Sequence, residues 1–561
     1  MSVIQFKSID KLKLKKSMFD NTFNHLTTLD MGKAVPIMVK EVVPGDIFKM
    51  GMRFILRMMP TIAPVLHEIY FQTYTFFVPN RLLFPKPKDP TELSDYQHNW
   101  ENFITGTRDG VAVDPVTNND KDDTVIPTYD GSHLGGSATN VVENLWDYMN
   151  LPTFTSLTFI PNNSMPNVLA KRAYNLIYNE YLRDQNLTNW VDLDDENIKY
   201  FCWEKDRFTS ALPMRQRGTA PALPLTGSAN VNFDSGYALV TGANVSSGIS
   251  VPVYPNSLIP NSDSAYDRGI AGGPITSRGG LSPSQPLRVS AASFSDMQTS
   301  IDVSKLVTAD INDLRTSIQI QKFLERNMRS GARYKEIIEA RFNENGGDAR
   351  LNRPEFIGAT KSPVIISEVL QTSGSQAAGQ PGNALGQMGG HGISADASKI
   401  GTYKATEHGW IITLCVIRPT TMYEGGIDPQ YTRRTYMEYL TPEFVNLSEQ
   451  AVFGRELKVT NNEDNNSKIF GYQGIYNEYR YSKSYVTGKM RTTAPGSLAH
   501  WHLARSFDTD PNLNTTFVEC RPSKRIFAVP SEPGFILQYQ AINQTVRPLP
   551  VMPEPGLMDH H

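Results

Sequence analysis

The order of apolar and polar positions along the chain predicts strands towards both ends. Residues 36–43 (PIMVKEVV) and 68–80 (EIYFQTYTFFVPN) are rich in β-branched and aromatic side chains, which strands favour. The first is closed by the turn tripeptide Pro44-Gly45-Asp46, and the second is apolar on both faces, which predicts burial on both until Pro79 ends it. Further strands are predicted at 409–418, 475–489 and 535–546, and the last alternates apolar and polar residues.

Helical periods appear between these strands. Residues 167–187 place Leu169, Ala173, Leu176, Ile177 and Tyr181 on one stripe after Pro166. Residues 308–342 predict a longer helix with Thr308 as N-cap and a stripe of Ile311, Leu314, Ile318, Leu324 and Met328. Ser330-Gly331 stops it, and a second helix is predicted over Arg333–Phe342. Trp146, Tyr148 and Leu151 indicate one more short helix.

Four segments lack a regular period. We interpret 1–34 as an N-terminal arm, 85–165 as an inserted loop region, 226–300 as a variable surface insertion and 372–402 as a flexible Gly/Ser-rich loop. Residues 35–561 then form a single discontinuous domain with inserted helices at 308–342. Because strands lie at both ends of the chain, a mainly β sandwich fits best, and a jelly roll is the commonest sandwich of this kind.

Composition narrows the function classes. The 561 residues are 40% hydrophobic and 20% charged, which excludes general disorder. A net charge of −3 argues against a protein that wraps nucleic acid with its whole surface. Cys202, Cys415 and Cys520 are odd in number and widely spaced, as expected of buried thiols in a reducing compartment. No apolar run is long enough to span a bilayer, and the N-terminus lacks the pattern of a signal peptide, so we expect folding in a cytoplasm.

No motif predicts catalysis, and we expect neither an enzyme nor a cofactor. The sequence has no phosphate-binding loop, dinucleotide fingerprint, HExxH or nucleophile elbow. His500 and His502 would share one face of a strand, but no third metal ligand can be named, so structural histidines are favoured. The acidic run at Asp192, Asp194, Asp195 and Glu196 lacks the glycine of a calcium loop, and we favour a solvated turn.

Three sets of residues could bind nucleic acid or partners. Lys11, Lys13, Lys15 and Lys16 in the basic arm are candidates for contact with DNA, with a solvated surface segment as the alternative. Arginines near the 308–342 helices could face nucleic acid or an acidic neighbour, or could simply be exposed: Arg315, Arg326, Arg329, Arg333 and Arg341. Tyrosines after residue 471 could stack on bases or pack in cores and interfaces: Tyr472, Tyr476, Tyr479, Tyr481 and Tyr485.

Nine segments, in order, resemble the major capsid protein of microviruses, in particular the gokushovirus-like branch. They are PIMVKEVVPGDIF (36–48), TYTFFVPNRLLF (73–84), RAYNLIYNEYLRDQNL (172–187), DRFTSALPMRQRG (206–218), LRTSIQIQKFLERNMRSGARYKEIIEARF (314–342), DARLNRPEFIGA (348–359), QTSG (371–374), FGYQGIYNEYRY (470–481) and GSLAHWHLARSF (496–507). Departures lie in the N-terminal arm, in 100–150 and in 226–300.

The resemblance implies an eight-stranded antiparallel jelly roll with long inserted loops. It implies sixty copies in a T=1 icosahedral shell around circular single-stranded DNA, assembled in the cytoplasm of a bacterial host. Residues 226–300 fall where an outward insertion would contact a bacterial surface receptor. Other implied partners are a small basic DNA-binding protein, which would neutralise the genome together with counterions, a minor pilot protein and an internal scaffolding protein.

One alternative from another class stays open at this point. Aromatic-rich strands and carboxylates on loops also suit a β-sandwich carbohydrate-binding or carbohydrate-active protein. Such an enzyme needs two carboxylates at a defined separation, and the sequence nominates no pair.

Overall fold

The architecture is taken from a computed structural model. It describes residues 16–84, 100, 107–108, 111–112, 126, 142–153, 166–216, 315–322, 352–370, 388–447 and 449–552. The chain divides into two compact units, one formed by Met1–Arg215 with Asn327–His561 and the other by Gln216–Arg326.

Fourteen strands lie in the described residues of the first unit. In chain order they are β1 (Ser17–Asp20), β2 (Phe23–Leu29), β3 (Val35–Val42), β4 (Ile47–Met58), β5 (Ile69–Pro79), β6 (Thr107–Arg108), β7 (Val111–Ala112), β8 (Glu355–Pro363), β9 (Ile365–Leu370), β10 (Met388–Lys404), β11 (Gly409–Pro419), β12 (Glu449–Phe453), β13 (Ile469–Gly474) and β14 (Phe535–Arg547).

Helices are few and short. They are α1 (Leu145–Tyr148), α2 (Leu169–Ile177), α3 (315–322, in the second unit), α4 (Glu463–Ser467) and α5 (Thr515–Val518). A π-helical turn, Tyr178–Leu182, continues α2. The 3₁₀ turns are Asn80–Leu82, Pro429–Tyr431, Tyr436–Glu438, Pro442–Phe444, Gly454–Glu456, Asn477–Tyr479, Gly488–Met490 and Ala499–Trp501. No helix among the described residues is long and apolar enough to cross a membrane.

Two antiparallel sheets form the body of the first unit. The first sheet has the order β1-β14-β4-β10-β9, with β2 also paired to β14, and the second has the order β3-β11-β5-β8. Neighbouring strands are distant in sequence, since Phe535 of β14 lies opposite both Met58 of β4 and Leu29 of β2. This confirms the mainly β prediction with strands from both ends of the chain.

The main core lies between the two sheets. In β4, Met50, Met52, Phe54 and Leu56 are buried while the alternate residues are not, as the period of a strand requires. They pack with second-sheet residues such as Phe71 and Ile417 in one cluster. The predicted alternation of β14 is confirmed, because Phe535, Leu537, Tyr539 and Ala541 are all fully buried.

A second core covers the opposite face of the second sheet. Phe76 and Val78 of β5 and Leu414 of β11 belong to one cluster with α2, where Ala173 and Ile177 face the sheet. The second sheet is therefore covered on both faces, which explains the doubly apolar sequence of β5. The predicted helix at 167–187 is confirmed for 169–182, and the short helix near Trp146 is confirmed as α1.

A third core supports the irregular chain between β11 and β14. Phe208, Tyr423, Val452, Leu457, Phe470 and Phe517 form it around the β12–β13 hairpin. Beneath it, Arg505 lies over the rings of Phe517 and Trp203, 4.1 and 5.1 Å from their centroids. Burial of these side chains gives a segment with little regular structure a fixed shape.

Several sequence predictions were wrong. Residues 475–489 are not a strand, because Tyr476 has a left-handed backbone (φ 60°) and 3₁₀ turns follow it. Of the predicted flexible loop 372–402, residues 388–402 belong to the long strand β10, and 372–387 lie outside the described residues. Within the predicted arm 1–34, residues 17–20 and 23–29 form β1 and β2. The inserted loop 85–165 is described only at 100, 107–108, 111–112, 126 and 142–153.

Helix α3 is the described part of the predicted 308–342 helix, and Ile318 is 46% exposed in spite of its place in the predicted stripe. The N-cap Thr308, the second helix Arg333–Phe342 and the insertion 226–300 lie outside the described residues.

Candidate functional site

The predicted DNA-contacting lysines are described only in part. Lys11, Lys13 and Lys15 lie outside the described residues. Lys16 is exposed, directly precedes β1, and its Nζ donates to the carbonyl oxygen of Gly45 at 3.4 Å. The arm therefore enters the fold at one end of the first sheet.

His500 and His502, considered as metal ligands but predicted to be structural, do not lie on a strand. His500 is in the 3₁₀ turn Ala499–Trp501, and His502 follows it. The Nε2 of His502 is 2.6 Å from the carbonyl oxygen of Met490, and its Nδ1 accepts from the N–H of Ala504 at 3.0 Å. Both ring nitrogens are thus engaged by backbone, and no group of three potential metal ligands occurs within the described ranges.

The acidic run 192–196 is mostly a structural element. Its carboxylates pair with cations of α2 and of the following chain: Arg172–Asp194 at 2.8 Å, Lys171–Glu196 at 3.3 Å and Lys199–Asp195 at 2.8 Å. The prediction of a merely solvated turn was wrong, because Lys171 and Arg172 are buried and these carboxylates balance their charge.

The tyrosines after residue 471 differ in exposure. Tyr472 is half-buried and Tyr476 is buried, whereas Tyr479, Tyr481 and Tyr485 are exposed. Of the arginines near the 308–342 helices, Arg315 is exposed at the start of α3, and Arg326, Arg329, Arg333 and Arg341 lie outside the described residues. A second exposed aromatic segment lies beside Tyr479.

That second segment lies between β11 and β12. We define the tyrosine surface as five large apolar side chains that are each 47–79% exposed: Tyr436, Met437, Tyr439, Leu440 and Tyr479. Two hydrogen bonds join its segments, from the hydroxyl of Tyr476 to the carbonyl oxygen of Tyr439 (3.0 Å) and from the N–H of Leu440 to the hydroxyl of Tyr479 (3.4 Å). A contiguous exposed apolar patch of this kind is characteristic of a protein–protein contact.

A buried ion pair holds the tyrosine surface from beneath. The guanidinium of Arg433 lies 4.4 Å from the ring centroid of Tyr479 and 5.6 Å from that of Tyr439. Its Nη2 is 3.2 Å from Oε1 of Glu478, and both side chains are less than one-tenth exposed. The rings are therefore stacked on a fixed, neutralised cation, which limits the entropy they lose on contact with a partner.

The turn that carries Tyr436 is fixed by its own sequence. The carboxylate of Glu438 accepts hydrogen bonds from the backbone N–H groups of Arg434 and Thr435. These bonds lower the pKa of Glu438, so the carboxylate that caps the turn stays ionised. Proline begins the neighbouring 3₁₀ turns at Pro429 and Pro442, where its fixed φ restricts the chain further.

Comparison with known proteins identifies the family of the chain. The family model described as capsid protein (F protein) matches residues 7–557. The chain belongs to the microvirus capsid protein F family. It is 30% identical to capsid protein VP1 of Chlamydia phage 1, over 99% of this chain and 97% of that protein. Capsid protein VP1 of Bdellovibrio phage phiMH2K is 30% identical over 97% and 96%, and that of Spiroplasma virus 4 is 27% identical over 95% and 93%.

Membership of this capsid family makes the chain a structural, non-enzymatic component of the virion and confirms the resemblance read from the sequence. A capsid protein forms a homo-oligomeric shell around a genome, so surfaces that bind further copies are its functional sites. Sequence reasoning missed most of the tyrosine surface. The available signal was the run YTRRTYMEYLTPEFVNL (431–447), which is dense in aromatics without the period of a strand or a helix.

Proposed function

We propose that this chain is the major subunit of a T=1 icosahedral shell of sixty copies that encloses circular single-stranded DNA. The family match across residues 7–557 carries the proposal. The same family match favours a capsid protein over the carbohydrate-binding or carbohydrate-active alternative, for which the described residues offer no specific support. Closed symmetry requires several different contact patches on one subunit, and the tyrosine surface is the patch best suited to a neighbouring copy.

The strand order supports a jelly roll. Setting aside the short edge strands β1 and β9, the sheets reduce to β2-β14-β4-β10 and β3-β11-β5-β8. Successive strands of the chain cross between them, as β2 to β3, β3 to β4 and β4 to β5 do. Eight antiparallel strands in two facing sheets, with these crossings between the sheets, fit the jelly-roll plan.

Further partners follow from the same proposal. Residues 226–300 would form the outward insertion that contacts a receptor on the bacterial surface. A small basic DNA-binding protein would supply most of the charge that neutralises the genome, because the chain itself has a net charge of −3. A pilot protein and an internal scaffolding protein complete the expected set, and assembly takes place in the host cytoplasm.

Substitutions in the tyrosine surface test its role in the shell. Truncating an aromatic side chain that anchors a protein–protein contact costs about 2 kcal/mol of binding free energy. The double variant Tyr436→Ser/Tyr439→Ser should therefore raise the protein concentration at which particles form by roughly tenfold or more. Electron microscopy and sedimentation across a concentration series would measure the shift.

The control is Tyr436→Phe/Tyr439→Phe, which keeps the rings and should assemble as the wild type does. Assembly of the serine variant at the wild-type concentration would remove the tyrosine surface from the shell contacts. If the wild-type chain produced with the other viral proteins gave no uniform icosahedral particles, the shell proposal itself would fail.

A further inference from the structure

The outward face of the first sheet carries a single row of cations. We propose that this row binds the phosphate backbone of single-stranded nucleic acid, laid along the strand direction. The inference deepens the proposed function and rests on it, since the shell is taken to enclose such a polymer. In order along the sheet, the cation row is Lys404, Lys49, Lys399, Arg53 and Arg57.

Register places these cations in line. Three lie on the outward face of β4, at Lys49, Arg53 and Arg57, where the burial pattern alternates. The other two lie on the adjacent strand β10, where Lys399 is opposite Gly51 and Lys404 is opposite Ile47. The β10 lysines thus lie beside positions of β4 that carry no charge.

The spacing suits a linear polyanion. Residues on one face of a strand repeat every two positions, about 7 Å apart. In the register of β4, the cation row occupies positions 47, 49, 51, 53 and 57. It therefore extends for about 34 Å along the sheet with only position 55 lacking a cation. A row this long and narrow matches an extended chain of phosphates better than a compact anion.

These cations are available to a ligand. All five are exposed. Across the described parts of the chain, none takes part in an ion pair or a side-chain hydrogen bond. The outward positions of the described sheet hold one carboxylate, Asp20, which lies on the edge strand β1 and bonds to Thr22. Asp20 lies two strands from Lys49, because it pairs with Gln544 and Gln544 pairs with Lys49. Five cations against this one carboxylate give the face a positive potential that favours a polyanion.

The neighbouring strand offers amides. Gln538, Gln540 and Gln544 of β14 share the outward face and lie beside Ile55, Arg53 and Lys49. Amide groups can donate to phosphate or pair with base edges that are not engaged in a duplex. No Phe, Tyr or Trp occupies an outward position of the described sheet, so this face offers bases no aromatic ring on which to stack. Binding should therefore tolerate any sequence and depend strongly on salt.

The opposite sheet could not serve in this way. Its outer face is covered by α2 and the second core, whereas the outer face of the first sheet is open along β4. Lys16 lies at the same end of this sheet as Lys404, because Met18 pairs with Val546 and Val546 pairs with Ile47. Lys16, the described lysine of the basic arm, therefore lies near one end of the cation row.

Salt-dependent binding tests the proposal. The probe is a fluorescent thymidine oligonucleotide, titrated with purified full-length chain in an anisotropy assay over a range of salt concentrations. For a single strand, each phosphate contact contributes about −0.7 to the slope of log K against log salt. The variant Arg53→Gln/Lys399→Gln removes two contacts, so its slope should be shallower by about 1.4 and its affinity lower at every salt concentration.

The matched control is Lys489→Gln/Arg491→Gln, which removes two exposed cations from the turn at Gly488–Met490. It should keep the wild-type slope. If the Arg53 variant does not fold, Lys49→Gln/Lys404→Gln tests the same row. An unchanged slope in the row variants would overturn the proposal. A polyglutamate peptide serves as a second probe. If the row variants lose binding to this peptide but bind the oligonucleotide as the wild type does, the row contacts an acidic protein partner and the proposal is overturned.

Assembly separates this inference from the shell proposal. Row variants should still form particles, because the tyrosine surface is intact, but the particles should contain less DNA per capsid protein. Particles with a wild-type DNA content would count against the row while leaving the shell proposal standing. Absence of particles from the wild type would count against the shell proposal, and the oligonucleotide titration would still decide the row.

Discussion

The buried ion pair between Arg207 and Glu456 gives a quantitative test of the third core. Arg207 Nη2 donates to Oε2 of Glu456, and both side chains are less than one-tenth exposed. The pair joins the chain before residue 216 to the turn after β12, and so fixes the region that carries the tyrosine surface. We expect Arg207→Met to leave the Glu456 carboxylate buried without its cation.

The Arg207→Met change should lower the free energy of unfolding. Removing one partner of a buried pair costs about 3–5 kcal/mol. Burial already raises the pKa of Glu456, and loss of Arg207 would raise that pKa further. The folded state then binds more protons than the unfolded state, so its free energy of unfolding falls as the pH rises. The variant should therefore be less destabilised near pH 5 than near pH 8.

Hydrogen exchange measures the effect locally. Amides of the β12–β13 hairpin should exchange between about a hundred and a few thousand times faster in Arg207→Met, following the 3–5 kcal/mol loss. The control is Arg207→Met/Glu456→Leu, in which no charge is left buried and most of the protection should return. Equal exchange in the wild type and Arg207→Met, or equal destabilisation at both pH values, would refute this reasoning.

Two further predictions concern other parts of the first unit. His67 and His502 are buried with Nε2 at 2.7 and 2.6 Å from carbonyl oxygens, and burial lowers the pKa of both. The unfolded chain binds more protons, so stability should fall as the pH drops below about 6.5, and thermal unfolding of His67→Gln/His502→Gln should show a flatter pH profile. Gly32 has φ 81°, and a Cβ there would lie 1.7 Å from the carbonyl oxygen of Cys520. Gly32→Ala should lower Tm clearly, whereas Gly496→Ala, with φ 65° and open space, should lower it less; equal losses would exclude the clash as the cause.

Strands with an unambiguous pattern could be predicted from the sequence. β5 and β11 are continuous apolar runs because sheet and helix cover both faces, and β14 alternates because only one face is covered. β10 was not predicted because its sequence resembles a flexible segment. It contains Gly389, Gly390 and Gly392 and small outward residues. The cause is tertiary: a Cβ on Gly390 would lie 2.7 Å from Oγ1 of Thr61, so glycine is needed where the two segments cross.

The candidate site was harder to predict for a physical reason. The tyrosine surface depends on Arg433, Tyr439 and Tyr479 meeting across some forty residues of irregular chain. The cation row needed register, since Lys399 and Lys49 are 350 residues apart in the sequence and become neighbours only when β4 and β10 pair. The sequence did identify the family, because ordered motifs survive along the whole chain.

The position of β14 has a consequence for synthesis. This strand, at residues 535–547, lies between β4 on one side and β1 and β2 on the other. While the ribosome is still translating, the middle of the first sheet is missing, and the edge of β4 remains open to unwanted pairing. The sheet cannot close until this strand has been synthesised, so products truncated before β14 lack the strand that joins β4 to β1 and β2.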